Sequence, residues 1–556
     1  MRAFFRRKRR IIVVLVLLVA GSMSIMAYYN EKDKYFEIAK NLDIFASFYR
    51  ELNTYYVDEL PPEKLMHKGI DAMLEETDPY TDFIPEENLD ELKFMATGKY
   101  GGVGVSVNTD SERTVITDVY EGGPMDKAGV KAGDIIVSLD GKSLEGLDQE
   151  EISRMLKGAP GSSLDMVTKH PVTSAQTTRR ITREEINVKA VSFSGMTSRD
   201  IGYIRMTQFT ENSGEMVQSA FTELKKQYPA IRGLILDLRG NPGGLLDEAV
   251  VVSNIFVDKN KTIVSTRGKV KSWDREYKTE APAVDAHIPL VVLTNRSSAS
   301  ASEIVAGAIQ DLDRGVIIGQ RSFGKGLVQT TRPLPYNAKL KVTTAKYYTP
   351  SGRCIQAIDY SHRNNEGEVE YVADSMRKSF NTVAGRKVRD GGGIEPDDAV
   401  DPTLLSQVAI TLLRKQYIFD YATQYYYSHP KITNAGTFEL SEEDFSDFLK
   451  YLDGRNYSYK TRSEEALETF QATAKKEKYY DALAKEFEAL QVKMKHDKKQ
   501  DLLKNKTEIR RLLEEEIVSR YYLQRGRIEK SLSSDNEVNE AITVLHSPER
   551  YQQLLK

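Results

Sequence analysis

The chain has 556 residues, of which 40% are apolar and 29% charged, and a net charge of -3. That length holds several domains, each large enough for its own core, the composition is that of an ordinary globular protein, and the near-balanced charge gives no reason to expect a nucleic-acid partner. The single cysteine, Cys354, rules out an internal disulfide, and the seven histidines are scattered with no Cys/His cluster at metal-ligand spacing, so neither a metal nor a cofactor is expected.

The N-terminus carries the strongest compositional signal. Arg2, Arg6, Arg7, Lys8, Arg9 and Arg10 precede Ile11 to Tyr28, an uncharged and mostly apolar run. Its length is close to the roughly 20 residues that span a bilayer, and the basic flank belongs on the cytoplasmic side. Residues 1–28 are therefore expected to be a basic stub and a single-pass anchor in the inner membrane, with the rest of the chain in the periplasm. The alternative is a cleaved signal, for which Ser22-Met23-Ser24 is a poor A-x-A match. Residues 29–96 read as helical. Ile38, Leu42, Phe45, Tyr49 and Leu52 form a helical stripe, and Pro62 to Glu76 is a second helix with prolines at its start. Asp78-Pro79-Tyr80-Thr81 marks a turn.

Residues 97–186 read as a separate, mainly β module. Gly101 to Val105 opens a strand, Arg113 to Val119 gives a second, and Ala128-Gly129-Val130-Lys131-Ala132-Gly133-Asp134 leads into Ile135 to Leu139 and an Asp140-Gly141 turn. Gln149 to Lys157 is a short helix. This order resembles a PDZ domain. The resemblance implies that Gly102, Val103, Gly104 and Val105 receive a peptide carboxylate, through N–H groups converging on one concavity beside an exposed strand edge.

Residues 187–401 alternate strands and helices, the pattern of an α/β core. Ile201 to Met206, Gly233 to Leu238, Val291 to Thr294 and Val316 to Gly319 are strands, and Gly214 to Gln227 and Leu245 to Phe256 are helices. Arg239-Gly240-Asn241-Pro242-Gly243-Gly244 follows one strand and exposes backbone donors at a helix start. It lacks the Lys-Ser/Thr of a Walker motif, so nucleotide binding is disfavoured. The apolar run Pro289 to Leu293 is followed by four serines, Ser297, Ser298, Ser300 and Ser302, and then by helical spacing from Glu303 to Leu312. A hydroxyl at a strand–turn–helix junction sits beside unpaired N–H groups that stabilise charge developing on a nearby oxygen. Ser322-Phe323-Gly324-Lys325-Gly326 then sets one lysine between glycines. A serine needs a base, and without a placed histidine that base is an amine kept neutral by desolvation. Spacing alone does not choose among the serines, which serve equally as helix caps.

SSASASEIVAGAIQD followed by RSFGKGLVQ resembles the active-site signature of the C-terminal processing peptidases, or tail-specific proteases, and LDLRGNPGG resembles their second signature. The resemblance implies a ClpP/crotonase-like α/β protease core with an inserted PDZ domain and a serine endopeptidase acting near the free C-terminus of protein substrates. It puts the nucleophile on Ser300, the base on Lys325 and the residue holding the lysine amine on Gln329. It puts the oxyanion-hole N–H groups on Ala301 and on Gly243 or Gly244. Asp311 also matches the family, but a carboxylate beside Arg314 has a simpler structural reading. The expected partner is a protein or peptide with a free, apolar C-terminus. Two rivals remain: an inactive membrane-tethered PDZ scaffold, which has no need of Ser300, Lys325 and Gln329 together, and an acyl-CoA hydratase-like enzyme, which explains neither the PDZ module nor the export segment. Residues 402–556 are helical and charged, carry none of these signatures, and are expected to brace the core or to form a homodimer.

Overall fold

The computed structural model describes residues 35–110, 112–197, 200–363, 369–494 and 498–556. The expected anchor, Ile11 to Tyr28, lies outside them, and among the described residues no helix is long and apolar enough to cross a membrane. The chain forms two units, Met1–Phe83 and Ile84–Lys556. In the first, helix α1 (residues 35–55) meets α2 (Pro62–Glu75), where the Tyr49 hydroxyl donates to the Pro62 carbonyl at 2.6 Å. Prolines 61 and 62 fit the start of α2 because their missing N–H groups would be unpaired there anyway. Phe36, Leu42 and Phe48 stay exposed on α1.

The second unit opens with α3 (Leu89–Thr97) and β1 (Lys99–Gly102). The expected strand from Gly101 to Val105 is interrupted, because Gly104 takes φ +74° and turns the chain between β1 and β2 (Val105–Thr109). Strands β3 (Thr114–Val119), β4 (Ile135–Leu139), β5 (Ser163–Lys169) and β6 (Gln176–Thr182) continue an antiparallel sheet in the order β2-β3-β4-β5-β6, with α4 (Gln149–Leu156) among them in the chain. Ile116, Met125, Leu139, Ile152 and Met166 fill its core. β7 (Glu184–Asn187) pairs with β1 and closes the module.

The α/β core follows as β8 (Val191–Met196), β9 (Ile201–Met206), α5 (Ser213–Gln227), β10 (Gly233–Asp237), α6 (Leu246–Asn254), β11 (Thr262–Gly268), β12 (Arg275–Lys278), β13 (Leu290–Thr294), α7 (Ala301–Asp311), β14 (Val316–Gly319), β15 (Leu327–Pro333), β16 (Lys339–Tyr348) and β17 (Asp398–Ala399). The central sheet has the order β8-β9-β10-β13-β14-β17 and is parallel except for the first pair. β10, β13 and β14 read as almost unbroken apolar runs because both of their faces are covered. Leu234, Leu236, Leu290, Val292 and Ile317 face α5, α6 and α7, while Ile235, Val291, Leu293, Val316 and Ile318 face the opposite way. A second antiparallel sheet, β15-β16-β11-β12, stands beside this one.

The remaining helices are α8 (Gln407–Arg414), α9 (Tyr417–Ser428), α10 (Glu442–Leu452), α11 (Arg462–Lys476), α12 (Tyr480–Met494), a short one at Lys498–Lys504, α13 (Lys506–Leu532), α14 (Asn536–His546) and α15 (Pro548–Leu554). α11 and α12 pack on each other around Leu467, Ala474 and Phe487, and the others do two different jobs. α8, α9, α10 and the first half of α13 share a core of their own around Leu412, Phe448 and Ile517. The end of α13 with α14 and α15 covers the far face of the central sheet through Ile528, Leu532, Val538, Val544 and Tyr551. Each buried aliphatic side chain there contributes about 1.5–3 kcal/mol. The division falls at a kink where Leu523 takes φ 54° and ψ -158°. Only a glycine fits at 526, since a Cβ there would lie 2.3 Å from Tyr522 Cβ.

Candidate active site

Three turns converge at the C-terminal ends of β10, β13 and β14. The turn after β13 reaches Ser300, which takes φ 56° and ψ -113° immediately before α7. That conformation costs a non-glycine residue about 1–3 kcal/mol and persists only where its surroundings enforce it. α7 is buried along its whole length, and its positive dipole end is directed at this turn. Of the four serines, Ser297 is exposed, Ser298 and Ser302 are fully buried, and Ser300 is half-buried.

Ser298 and Ser302 stitch two turns together. The Ser298 hydroxyl donates to the Leu238 carbonyl at 2.8 Å, and that of Ser302 to the Asn241 carbonyl at 2.9 Å. The Ala299 N–H also donates to Asn241 O, and the Gly240 N–H donates to Asn295 Oδ1. These bonds press the glycine turn onto the serine turn. A Cβ on Gly243, where φ is +100°, would lie 2.8 Å from Ala301 N and 2.8 Å from Ser300 Cβ, so only glycine fits. Gly243 and Gly244 differ in one respect that sequence could not reveal: the Gly243 N–H already donates to Asn241 Oδ1 at 2.9 Å.

The third turn carries Lys325, half-buried, after β14. What joins it to the serine turn is Glu303, read from sequence only as a helix residue. Its carboxylate is fully buried and accepts four hydrogen bonds. Oε1 takes the Ser322 hydroxyl (2.5 Å) and the Gly324 N–H (2.6 Å), and Oε2 takes the N–H of Ser300 (2.8 Å) and of Lys325 (2.9 Å). Burial pushes this carboxyl above the usual range, against the four donors that favour its ionised form. The Ser300-x-x-Glu303 spacing is a capping-box signal that could have pointed to it. Tyr347, on β16, donates to the Ser300 carbonyl at 3.2 Å; burial holds its phenol well above its ordinary value, so it stays a neutral donor. Gln329 follows a bulge between Val328 and Gln329 on β15, a device that re-aims side chains, and its Nε2 donates to Thr343 Oγ1 at 3.1 Å.

Ser300, Ala301, Gly243, Gly244 and Lys325 are thus gathered around one place. Asp311 lies elsewhere in α7, paired with the buried Arg353 at 2.7 Å. Among the described residues no group of three or more His, Cys, Asp or Glu side chains is arranged to hold a metal ion.

Val103, Gly104 and Val105 line a second, separate groove, and Gly102 precedes them without lining it. The groove, of about 270 Å³, runs between β2 and α4, with Val103, Val105 and Val107 on one side, Leu156 and Lys157 on the other, and Phe94 and Tyr100 at one end. β2 is the edge of its sheet, so its outer side can accept an added strand.

Comparison with known proteins identifies the family of the chain. The model for "Peptidase family S41" matches residues 200–361, one for a PDZ domain matches 115–169, and "Probable PDZ-protease, C-terminal helical domain" matches 408–545. The chain is 38% identical over 331 residues to the carboxy-terminal-processing protease of Bartonella bacilliformis, covering 59% of this chain and 75% of that one. It is 36% identical over 300 residues to the chloroplastic C-terminal processing peptidase of Tetradesmus obliquus, covering 51% of this chain and 64% of that one. Among solved structures, the photosystem II D1 C-terminal processing protease is similar at 30% identity, with a TM-score of 0.35, over 65% of this chain and 93% of that one. With its PDZ domain, its protease core and its helical C-terminal domain, the chain belongs to the carboxy-terminal-processing proteases of peptidase family S41.

Proposed function

We propose that the protein hydrolyses peptide bonds near the C-terminus of protein substrates with Ser300 as nucleophile and the neutral amine of Lys325 as its base. The observation that carries this reading is the Glu303 carboxylate, whose Oε2 accepts from the backbone of both residues and so fixes their turns together. Lys325 Nζ takes the proton from Ser300 Oγ as the oxygen attacks the carbonyl carbon. The oxyanion is held by the N–H of Ala301 and that of Gly244, the glycine whose N–H is not engaged by Asn241. The lysine ammonium then protonates the departing amine, and water, deprotonated by the same lysine, releases the acyl group from Ser300. Gln329 orients the amine from its bulged strand.

The PDZ groove takes the free C-terminus of the substrate. Its valine and leucine lining favours an apolar terminal residue, and Lys157 at the rim supplies positive charge for the carboxylate. Ile11 to Tyr28, behind its basic flank, tethers the enzyme to the inner membrane with the catalytic core in the periplasm. Ser300→Ala and Lys325→Ala should each lower kcat by at least about 10³-fold, with the unfolding midpoint nearly unchanged. A substrate with an amidated C-terminus should be cleaved more slowly than its free-acid form. Full activity in either variant refutes the dyad, and equal rates on the two substrates refute recognition of the carboxylate.

A further inference from the structure

The first turn of α14 reaches two of the three turns of the proposed site from the far side of the sheet. Arg239, the residue that leads from β10 into the glycine turn, has every guanidinium nitrogen engaged by a carboxylate. Nε and Nη2 bond Asp237 at 3.0 and 2.6 Å, Nη1 and Nη2 bond Asp535 at 2.9 and 2.8 Å, and Nη1 lies 3.2 Å from Glu537. All four side chains are largely buried. Burial alone would push the Asp237 carboxyl up, but Arg239 outweighs it and holds the group ionised. Glu537 also accepts from Gln320 Nε2 at 2.9 Å, and Gln320 leads from β14 toward the Lys325 turn. One short stretch of the helical domain therefore holds the exits of both strands.

We infer that Asp535 and Glu537 are positioning residues for catalysis, setting the glycine turn through Arg239 and the lysine turn through Gln320. The inference rests on the Ser300–Lys325 reading above. A bidentate guanidinium–carboxylate pair fixes orientation as well as distance, and it holds from the far face the same strand exits that Ser298, Ser302 and Glu303 hold from the α7 side. The helical domain thus acts on the chemistry and not on stability alone.

Two variants test this with the full chain and a short peptide substrate. Asp535→Asn removes the charge but keeps an oxygen to cap α14, where Oδ1 accepts from the Val538 N–H at 3.0 Å. Glu537→Gln leaves the cap untouched. Each should lower kcat about 10- to 100-fold, as small misplacements of reacting groups do, with KM within about twofold because the substrate's binding contacts are intact. Asp535→Glu should recover part of the loss. Ser300→Ala is measured beside them. If Ser300→Ala is active, the underlying reading fails. If it is inactive while the α14 variants keep wild-type kcat per folded molecule, or lose active fraction and kcat only in proportion to unfolding, the positioning role is overturned.

Discussion

The two faces of the central sheet are closed in contrasting ways. The near face is covered by α5, α6 and α7, each of which starts a few residues after a strand of the sheet, and the turns that lead into α6 and α7 form part of the proposed site. The far face is covered by the end of α13 and by α14 and α15, which belong to the sheet only through tertiary contact; Gln320 and Glu537 meet although they are 217 positions apart. Continuity in the chain places the proposed reacting groups, whereas the apolar side chains of the far face supply burial, with Asp535 and Glu537 as the polar exception. Substitutions should therefore separate into those that cost activity and those that cost stability.

The largest effect belongs to the near side. Glu303→Gln puts an amide NH2 where one oxygen accepts two donors, so Ser300 and Lys325 or Ser322 and Gly324 lose their shared acceptor. The expected outcome is a kcat about 10²-fold lower and a stability loss of about 1–3 kcal/mol, read by steady-state kinetics and calorimetry. A variant with normal kcat would break the link between the two turns. Ile528→Ala, on the far face, should behave in the opposite sense. It empties a fully packed position and should cost about 2–5 kcal/mol in chemical denaturation while leaving kcat per folded molecule unchanged. Tyr551→Phe should be milder. Its hydroxyl accepts from Leu290 N and donates to Leu290 O at the start of β13, and losing it should cost about 1–2 kcal/mol. If either far-face variant lowers kcat per folded molecule, the contrast is too sharp.

What could be read from sequence was local. Strands β9, β10, β13 and β14 announce themselves as apolar runs, and the helices after them by spacing, because both signals depend on neighbouring residues. The interruption of the strand at Gly104 was missed, since a glycine is compatible with a strand and with the positive φ it takes there. Ser298 and Ser302 look alike in sequence to Ser300. Their acceptors, Leu238 O and Asn241 O, are 60 and 61 positions away. Glu303 shows only its capping-box spacing from Ser300, because its other donors, Ser322, Gly324 and Lys325, lie in a loop that only the fold brings back. The charge pattern after residue 402 reveals helices but not what each of them covers. At the break at Leu523 one helix changes from its own bundle to the protease sheet, two partners that only the fold brings to it.

The far-face cover has a consequence for biosynthesis. As the chain leaves the ribosome, β13 and β14 emerge long before Ile528, Val544 and Tyr551 do. Through that interval the half-built sheet displays Val291, Leu293, Val316 and Ile318 to solvent, the kind of surface that chaperones shield and that aggregates when they do not. Maturation of this protease therefore waits on its last helices to dock.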